Sequence, residues 1–377
     1  MPIPSIDVSA LRCRAQIDLS ALRHNAQICQ GLAGESTGVM AIVKADAYGH
    51  GLERIVTAVN HEVDWLGVAN VREAERARLA SASDIPILIL SPATPSEIEP
   101  IVAGRFSASV STLEEVTAFN AAAGNSRSRA NLHAVADTGM GRMGALPEEF
   151  PHLVKAIQEA EHCELMGIET HFPSADEDEE FTQEQIGRFA KLIKPLDLPP
   201  EAQIHLGNSA GLIGFHQQTP FATLARPGLA LYGIDPFCEG ANLIPILSLH
   251  SKVTLVRDIP EGTSISYGRT FIAEQPMRVA TLGVGYGDGY PRHLSGRDAE
   301  VLIGGRRCRL LGRVTMDQIV VDISHLETKV APGDDAVLIG TQGGETITAA
   351  ELAGKADTIP WEILTGITSR VDRVYLD

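Results

Sequence analysis

The feature that most constrains the fold is an alternation of short β-rich runs with amphipathic helical stretches, which extends from Val39 to about Gly233. Alternation of this kind produces parallel strands that are joined by crossover helices. The predicted strands are residues 39–44, 65–69, 86–90, 106–110, 131–136, 165–171, 203–206 and 223–226. Eight strands are the number in a TIM barrel, so we expect an α/β fold of the (β/α)8 barrel type. Between the fourth and fifth strands, Ser111 with Glu114 predicts a capping box at a helix start and Gly124 predicts its end.

Beyond about residue 240 the helical periodicity gives way to short β runs at residues 252–256, 279–284, 301–303, 309–311 and 319–323. We therefore predict a barrel domain of residues 12–240, followed by a β-rich C-terminal domain of residues 241–377. Gly304-Gly305 predicts a hairpin turn, and only residues 349–356 look helical in this part. Residues 11–19 form one further strand that the barrel does not need, and we expect it to pair with the C-terminal domain.

Composition excludes several classes of function. A formal net charge of -17 disfavours nucleic-acid binding, which depends on basic side chains that neutralise phosphates. No apolar run is long enough to cross a membrane, and the first residues do not resemble a secretory signal, so we expect a cytoplasmic protein. The odd number of cysteines and the lack of a CxxC pair predict reduced thiols and no metal site. The cysteines are Cys13, Cys29, Cys163, Cys238 and Cys308.

Polar residues collect where the predicted strands end, which is the end of a TIM barrel that carries the active site. Lys44 follows four apolar residues in AIVKADAYGHG, and its desolvated amine suits a Schiff-base lysine. Asn208, Ser209 and Gly211 follow the seventh strand and Gly228 follows the eighth, where barrels commonly hold a phosphate. The same residues also fit ordinary turn chemistry, so their pattern alone does not decide between the two interpretations.

A set of longer segments resembles the alanine racemases, which are pyridoxal-phosphate (PLP) enzymes built from a barrel and a β domain. The segments are AIVKADAYGHG, DTGMGRMG, THFPSADE, HLGNSAG, RPGLALYG, SYGRT, GYGDGYPR and GRVTMDQ. They occur in the order of the family and cover almost the whole chain. The resemblance implies an isomerase that interconverts L- and D-alanine by a two-base mechanism and serves the D-alanine biosynthesis that supplies peptidoglycan precursors.

The resemblance also implies roles for five catalytic residues. Lys44 binds PLP covalently and acts as the acid/base on the D-alanine side, and Tyr267 acts on the L-alanine side. His171 hydrogen-bonds Tyr267 and also contacts Arg226, which faces the pyridine nitrogen. Because Arg226 stays charged and does not transfer a proton to that nitrogen, it limits transamination. Arg142 contacts the cofactor's phenolic oxygen and the substrate carboxylate.

Further residues are implied for binding. Met316 binds the substrate carboxylate through its N–H, and Tyr286 lines the substrate entrance. The residues implied around the cofactor are Tyr48, Asn208, Ser209, Gly228, Leu229 and Trp361. In the family, the C-terminal residues come from the partner subunit, so the resemblance implies a homodimer with shared active sites.

Two positions depart from the family pattern. Val135 stands where many members carry a carbamylated lysine, whose negative charge orients the residue equivalent to Arg142. We hypothesise that a bound anion such as chloride, or another acidic side chain, compensates. Trp361 stands where the family usually has a tyrosine that reaches the phosphate, so an indole N–H is expected to replace a phenol.

Three other functions are compatible with these residues. The first is a broad-specificity racemase or a PLP aldolase of the D-threonine type, and the second is a PLP-binding protein without catalytic activity. The third is a metal-dependent barrel hydrolase with His133, His171, His205 and Asp137 as ligands, although their spacing matches no compact metal motif.

Overall fold

The computed structural model describes residues 10–81, 84–237 and 240–377. The chain divides into two compact units. One contains Ala21–Ala47 and Gly51–Ile244, and the other contains the described residues up to Ser20 together with Tyr48–His50 and Pro245–Asp377. Within the described residues, no helix combines the length and the apolar character that a membrane span needs.

The strand β1 (Cys13–Asp18) and the helix α1 (Leu19–Ala33) precede the barrel. Eight parallel strands then close the barrel in chain order, which confirms the predicted fold. They are β2 (Gly38–Ile42), β3 (Trp65–Val68), β4 (Ile87–Ile89), β5 (Ser107–Val110), β6 (Ala130–Val135), β7 (Cys163–Glu169), β8 (Gln203–His205) and β9 (Leu224–Ala225). Every residue of β3, β4 and β5 is buried, as expected for strands that lie between a filled interior and a helical layer.

The connections between these strands carry helices, as predicted, except that the first, α2 (Lys44–Tyr48), is a left-handed turn whose first residue, Lys44, was predicted as the end of the strand. The others are α3 (Leu52–Val59), α4 (Val71–Ser81), α5 (Ile98–Ala103), α6 (Leu113–Ser126), α7 (Phe150–Glu159), α8 (Glu179–Ile193) and α9 (Ser209–Phe215). The capping box before α6 is formed by Thr112 and Glu115, so the prediction of Ser111 with Glu114 was wrong by one residue. The helix also continues past Gly124 and ends before Arg127, which takes the left-handed conformation that closes it.

The second unit is built on a nine-stranded sheet in the order β18-β17-β14-β15-β16-β13-β10-β1-β19. Its later strands are β10 (Leu247–Ile259), β13 (Met277–Leu282), β14 (Glu300–Ile303), β15 (Arg306–Leu311), β16 (Ile319–Asp322), β17 (Asp335–Gln342), β18 (Glu345–Ile347) and β19 (Asp372–Leu376). A two-stranded sheet joins β11 (Ser264–Ile265) to β12 (Phe271–Ile272). The helices of this unit are α10 (Ala349–Ala356) and α11 (Pro360–Thr365). The prediction found α10 but missed α11.

Strand β1 lies inside the sheet of the second unit. It pairs antiparallel with β10 and parallel with β19. Gly304 and Gly305 connect β14 to β15 with φ values of 60° and 74°, a turn that side chains with a Cβ rarely adopt. Ile259, Val279 and Leu311 belong to one buried apolar cluster of this unit.

Candidate active site

Lys44 follows the first barrel strand at its carboxyl end and is half-buried. Burial holds the pKa of its amine below the usual range, and the nearby guanidinium groups of Arg142 and Arg226 lower it further. Glu73 opposes this effect. Because the uncharged amine is the nucleophilic form, this environment prepares Lys44 for covalent chemistry with a carbonyl carbon.

The residues after Lys44 form one turn of left-handed helix. The φ values of Ala45, Asp46, Ala47 and Tyr48 lie between 53° and 55° although none of them is glycine. Such a turn is unfavourable by itself and persists only where other contacts support it. Glu73 accepts a hydrogen bond from the Ala45 N–H at 2.8 Å, and Arg76 forms an ion pair with Asp46 at 2.7 Å.

The turn ends at a buried tyrosine. Burial raises the pKa of Tyr48 to about 12, so its phenol keeps its proton. This state suits the phosphate-binding role that the sequence analysis expects of it.

Arg226 is buried at the end of the eighth barrel strand and is surrounded by acceptors. Its Nη2 donates to the carbonyl oxygens of Thr170 at 2.6 Å and Leu206 at 3.1 Å, and its Nη1 donates to that of His205 at 2.9 Å. These bonds fix the plane of the guanidinium within the barrel.

His171 accepts a hydrogen bond from Arg226, whose Nη2 lies 3.2 Å from the Nδ1 of the imidazole. Burial lowers the pKa of His171 to about 3, and the charges of Arg226, Arg142 and Lys44 act in the same direction. The ring is therefore neutral at neutral pH and carries one hydrogen. Because a guanidinium only donates, Nδ1 is the acceptor and the hydrogen resides on Nε2.

A second chain of hydrogen bonds leads from Arg226 into the barrel. Its Nη1 donates to Nδ1 of His205, and Nε2 of His205 lies 2.8 Å from Nδ1 of His133. Since Arg226 only donates, the same reasoning places the hydrogen of His205 on Nε2 and the hydrogen of His133 on its own Nε2. Trp65 packs edge-on against His133.

These contacts argue against the hydrolase interpretation. His171 and His205 each use a ring lone pair to accept from Arg226, and a guanidinium in that place repels a cation. Asp137 is used locally, because its carboxylate accepts from the N–H groups of Gly139 and Gly141. No group of metal-binding side chains is present in the described part of the chain.

The loop after β6 carries Arg142, which is exposed. Asp137 shapes this loop by accepting the two glycine N–H groups, and Gly141 takes a φ of 68°. Val135, the last residue of β6, is in register with Glu169, the last residue of β7.

Glu169 is a buried carboxylate that the sequence analysis did not identify. One carboxylate oxygen lies 3.2 Å from Nη1 of Arg226, and the other accepts a hydrogen bond from the hydroxyl of Ser109 at 2.5 Å. It lies between Ile168 and Thr170, directly before the segment THFPSADE. Nothing in the sequence indicates its role, because its partners Arg226 and Ser109 lie far away along the chain.

The expected phosphate region is organised around Ser209. Its hydroxyl oxygen accepts the N–H groups of Gly228 at 2.9 Å and Ala230 at 3.1 Å, so its own hydrogen is left to donate to a ligand. Asn208 caps α9 by accepting the Gly211 N–H at 2.9 Å, and its amide donates to the Phe172 carbonyl oxygen. The Gly228 N–H thus contacts Ser209 in this structure, and Leu229 follows it in the same turn.

The second unit presents three of the expected residues on its surface. Tyr267 is 72% exposed, Met316 51% and Tyr286 41%. The segments of Tyr286 and Met316 lie together, since the Tyr286 N–H donates to the carbonyl oxygen of Thr315 at 3.0 Å and the Gly287 N–H donates to that of Met316 at 2.9 Å. Trp361 is half-buried in the first turn of α11.

A glycine allows this close approach. A Cβ on Gly285 would lie 2.2 Å from the Thr315 carbonyl oxygen, a distance that no side chain tolerates. The glycine that precedes Tyr286 therefore sets the position of Met316 as well.

The four described cysteines, Cys13, Cys29, Cys163 and Cys308, are buried free thiols, and Cys238 lies outside the described residues. Burial raises the pKa of each described thiol, to about 11 for Cys163 and about 12 for the others. None of them has the depressed pKa of a nucleophile.

Comparison with known proteins agrees with this arrangement along the whole chain. The family described as "Alanine racemase, N-terminal domain" matches residues 17–236, and "Alanine racemase, C-terminal domain" matches residues 246–375. The alanine racemase of Geobacter sulfurreducens is 40% identical over 375 residues, which cover 96% of this chain and 97% of the relative. The crystal structure of the alanine racemase from Streptomyces coelicolor A3(2) is 33% identical with a TM-score of 0.91, over 98% of this chain and 99% of that one. The alanine racemase from E. faecalis gives a TM-score of 0.90 at 33% identity, over 97% and 98% of the two chains. By sequence and by fold, this chain belongs to the alanine racemase family.

Proposed function

We propose that this chain interconverts L- and D-alanine with PLP as its cofactor. The family is PLP-dependent. The observation that carries the proposal is the environment of Lys44, whose half-buried amine follows the first barrel strand at its carboxyl end and has its pKa lowered by burial and by the charges of two guanidinium groups. When bound to this amine, PLP supplies an electron-withdrawing ring that acidifies the proton on the α-carbon of an amino acid.

Two side-chain donors fit a phosphorylated pyridine. The Ser209 hydroxyl has a hydrogen to donate, and the Tyr48 phenol keeps its proton. We assign the phosphate to these two groups, to the backbone N–H of Leu229 and to the neighbouring Asn208, while the Gly228 N–H holds the Ser209 hydroxyl in place. We assign Trp361 to the same region, as a donor through its indole N–H.

Arg226 is the residue assigned to the pyridine nitrogen. Its guanidinium is fixed by carbonyl groups and always charged, so it cannot transfer a proton to that nitrogen. By keeping its proton, Arg226 would limit the electron-withdrawing power of the ring, which favours return of the proton to the α-carbon over transamination.

Two groups on opposite faces of the α-carbon are needed to invert it. We assign the face of D-alanine to Lys44 and the face of L-alanine to Tyr267. The hydrogen that Arg226 forces onto Nε2 of His171 supports this assignment, because an Nε2–H donor stabilises a phenol oxygen that has lost its proton. We assign the substrate carboxylate to Arg142 and to the Met316 N–H, and the entrance to Tyr286.

We further propose a homodimer in which Tyr267, Tyr286 and Met316 complete the site of the partner. All three are exposed in the single chain, which is unusual for groups that must work in a water-excluded site. The described cysteines are buried free thiols, which suits the reducing cytoplasm. We expect the enzyme to act there and to supply D-alanine as a peptidoglycan precursor.

The activity is tested on the purified protein. We expect a visible absorption band that borohydride removes together with racemisation of alanine, and we expect Lys44→Ala to lack both. Lys191→Ala, an exposed lysine on α8, is the matched control and should retain both. L-serine, L-lysine and D-threonine assayed in parallel distinguish a broad-specificity racemase or a D-threonine aldolase, and a band without turnover would indicate a PLP-binding protein.

Shared sites are tested by mixing two inactive variants, Lys44→Ala and Tyr267→Phe. Subunit exchange at equal amounts should restore about a quarter of the wild-type sites, because each heterodimer contains one site with both native residues. If mixing restores no activity although heterodimers form, each chain completes its own site and this part of the proposal is wrong.

A further inference from the structure

Glu169 is a buried acidic residue in contact with the proposed active site, and neither the mechanism above nor the family resemblance uses it. The side chain is on the last residue of β7, and the residue is 5% exposed. Its carboxylate lies 3.2 Å from Nη1 of Arg226 and 3.6 Å from Nδ1 of His205, and it accepts the Ser109 hydroxyl at 2.5 Å. A buried carboxylate is retained only where its charge or its hydrogen bonds are compensated.

The site around it is strongly cationic. The charges of Arg142 and Arg226 both lower the pKa of Lys44. The charge of Arg142 also lowers the pKa of Arg226. Arg226 is fully enclosed, and a buried guanidinium without a counter-charge is strongly destabilising. Glu169 is the carboxylate that contacts it.

The charge of Glu169 reaches both arginines. Burial raises the pKa of its carboxyl group above the usual value, and Arg226, the Ser109 hydroxyl and Arg142 each act in the opposite direction. Arg142 acts on this pKa through its charge, from the loop that follows β6, the strand paired with the strand of Glu169. Arg226 cannot lose its proton, so a carboxylate at 3.2 Å from it forms an ion pair.

The position of Glu169 also explains the departure at Val135. The two residues are paired in the register of β6 and β7. Neighbouring residues in register on parallel strands project their side chains to the same side of the sheet, so the carboxylate lies beside the place where the sequence analysis expected a negative charge.

We propose that Glu169 is a positioning residue that supplies the counter-charge of both Arg226 and Arg142, so that no bound anion is needed beside Arg142. The inference rests on the proposed function, since that function gives the two arginines their tasks at the pyridine nitrogen and at the substrate carboxylate. Of the two compensations expected for Val135, the acidic side chain is thus the one we choose.

The first test compares Glu169→Gln with Glu164→Gln, an exposed glutamate on the same strand, which controls for the loss of one charge. The glutamine side chain retains the size of the native side chain and its capacity for hydrogen bonds, but not its charge. We expect kcat of Glu169→Gln to fall on the order of 10²-fold, because misplaced guanidinium groups misalign the reacting atoms, whereas Glu164→Gln should stay within about twofold. A Glu169→Gln variant with unchanged kcat, KM and urea midpoint would overturn the proposal.

The second test restores the charge from solution and reads the stability of the cofactor-free protein. Glu169→Ala leaves a space that formate fits, so the urea midpoint of the cofactor-free variant should rise with formate concentration and reach a plateau. Formate should also restore part of the kcat of the PLP-loaded variant. The wild type and Glu164→Ala should not respond. If formate has no effect on Glu169→Ala, the carboxylate is not the counter-charge.

The third test needs no variant at position 169, so it can test the need for a bound anion even if those variants do not fold. Chloride is exchanged for gluconate at constant ionic strength, with the wild type and with Ser109→Ala, which keeps the carboxylate. We expect the exchange of salts to change neither the kcat nor the urea midpoint of either protein. A saturable dependence of kcat or of the midpoint on chloride would overturn the proposal. If the wild type does not racemise alanine, the proposed function fails, while a formate response of Glu169→Ala would still establish the ion pair with Arg226.

Discussion

The tautomer of His171 leads to a specific prediction about the exchange of His171 for asparagine. An asparagine side chain places an amide group at the position of Nδ1, so its oxygen still accepts from Arg226. It has no atom at the position of Nε2. The variant therefore keeps the contact that holds Arg226 and loses the donor that we assign to Tyr267.

The size of the effect follows from the charge of the phenol. Because the pKa of His171 is lowered to about 3, the ring is a neutral donor throughout the working pH range. A hydrogen bond to a charged group contributes about 1.5–3 kcal/mol, and each 1.4 kcal/mol corresponds to a factor of about ten in rate. Proton transfer at Tyr267 should therefore slow by roughly 10- to 150-fold.

The assay has to separate the two faces of the substrate. L- and D-alanine have equal free energies, so kcat/KM must fall equally in both directions and cannot identify the affected step. Isotope effects do identify it. With α-deuterated L-alanine the effect on kcat/KM should rise in His171→Asn, because proton removal by Tyr267 becomes slowest, whereas with α-deuterated D-alanine it should not rise.

The variant His171→Gln serves as the counterpart, because its amide nitrogen occupies the position of Nε2 and retains a donor there. It should lose less activity than His171→Asn. The reasoning is refuted if His171→Asn changes kcat/KM by less than twofold, or if the isotope effects of L- and D-alanine rise together.

Three further predictions concern stability and the second unit. The pKa of His133 is lowered from 6.5 to about 3 by burial and by Arg226, so unfolding takes up a proton below pH 6.5. Its contribution to the free energy of unfolding is complete above pH 6.5 and falls by about 1.4 kcal/mol per pH unit down to about pH 3, which urea titrations at stepped pH will measure. The hydroxyl of Tyr290 is buried without a hydrogen-bond partner in the described part of the chain, so Tyr290→Phe should raise the free energy of unfolding by about 1–3 kcal/mol; a lower value would contradict this. Gly285→Ala should displace the Thr315 carbonyl, lower kcat/KM by roughly 10²-fold and destabilise the fold, as steady-state kinetics and urea unfolding will show.

The barrel could be predicted because its signal is repeated. Most of its strands give short runs of buried, largely apolar residues, and eight such runs with helical spacers leave few alternative folds. Strand ends were less certain: the first strand was predicted to reach Lys44, whereas it ends at Ile42. The error has a physical cause, because the residues after it form a left-handed turn without glycine.

The parts that the sequence did not reveal depend on distant partners. Ala45 shows no preference for a positive φ, and its conformation is supported by Glu73 from another connection of the barrel. Glu169 acquires its importance from Arg226 and Ser109, which other strands of the barrel bring to it. Helix α11 begins with a proline and has only six residues, too few for a helical period to stand out.

The position of strand β1 has a consequence for biosynthesis. Arg14 is paired with Asp372, 358 residues later in the chain. At 5–20 residues per second, a ribosome takes tens of seconds to translate that interval, and β19 must then leave the exit tunnel before it can pair. During this time the six residues of β1 keep one edge unpaired, because β19 has not yet been made. Strand β1 is thus exposed to aggregation during that interval, and a chain that stops shortly before Asp372 would leave β1 without its second neighbour.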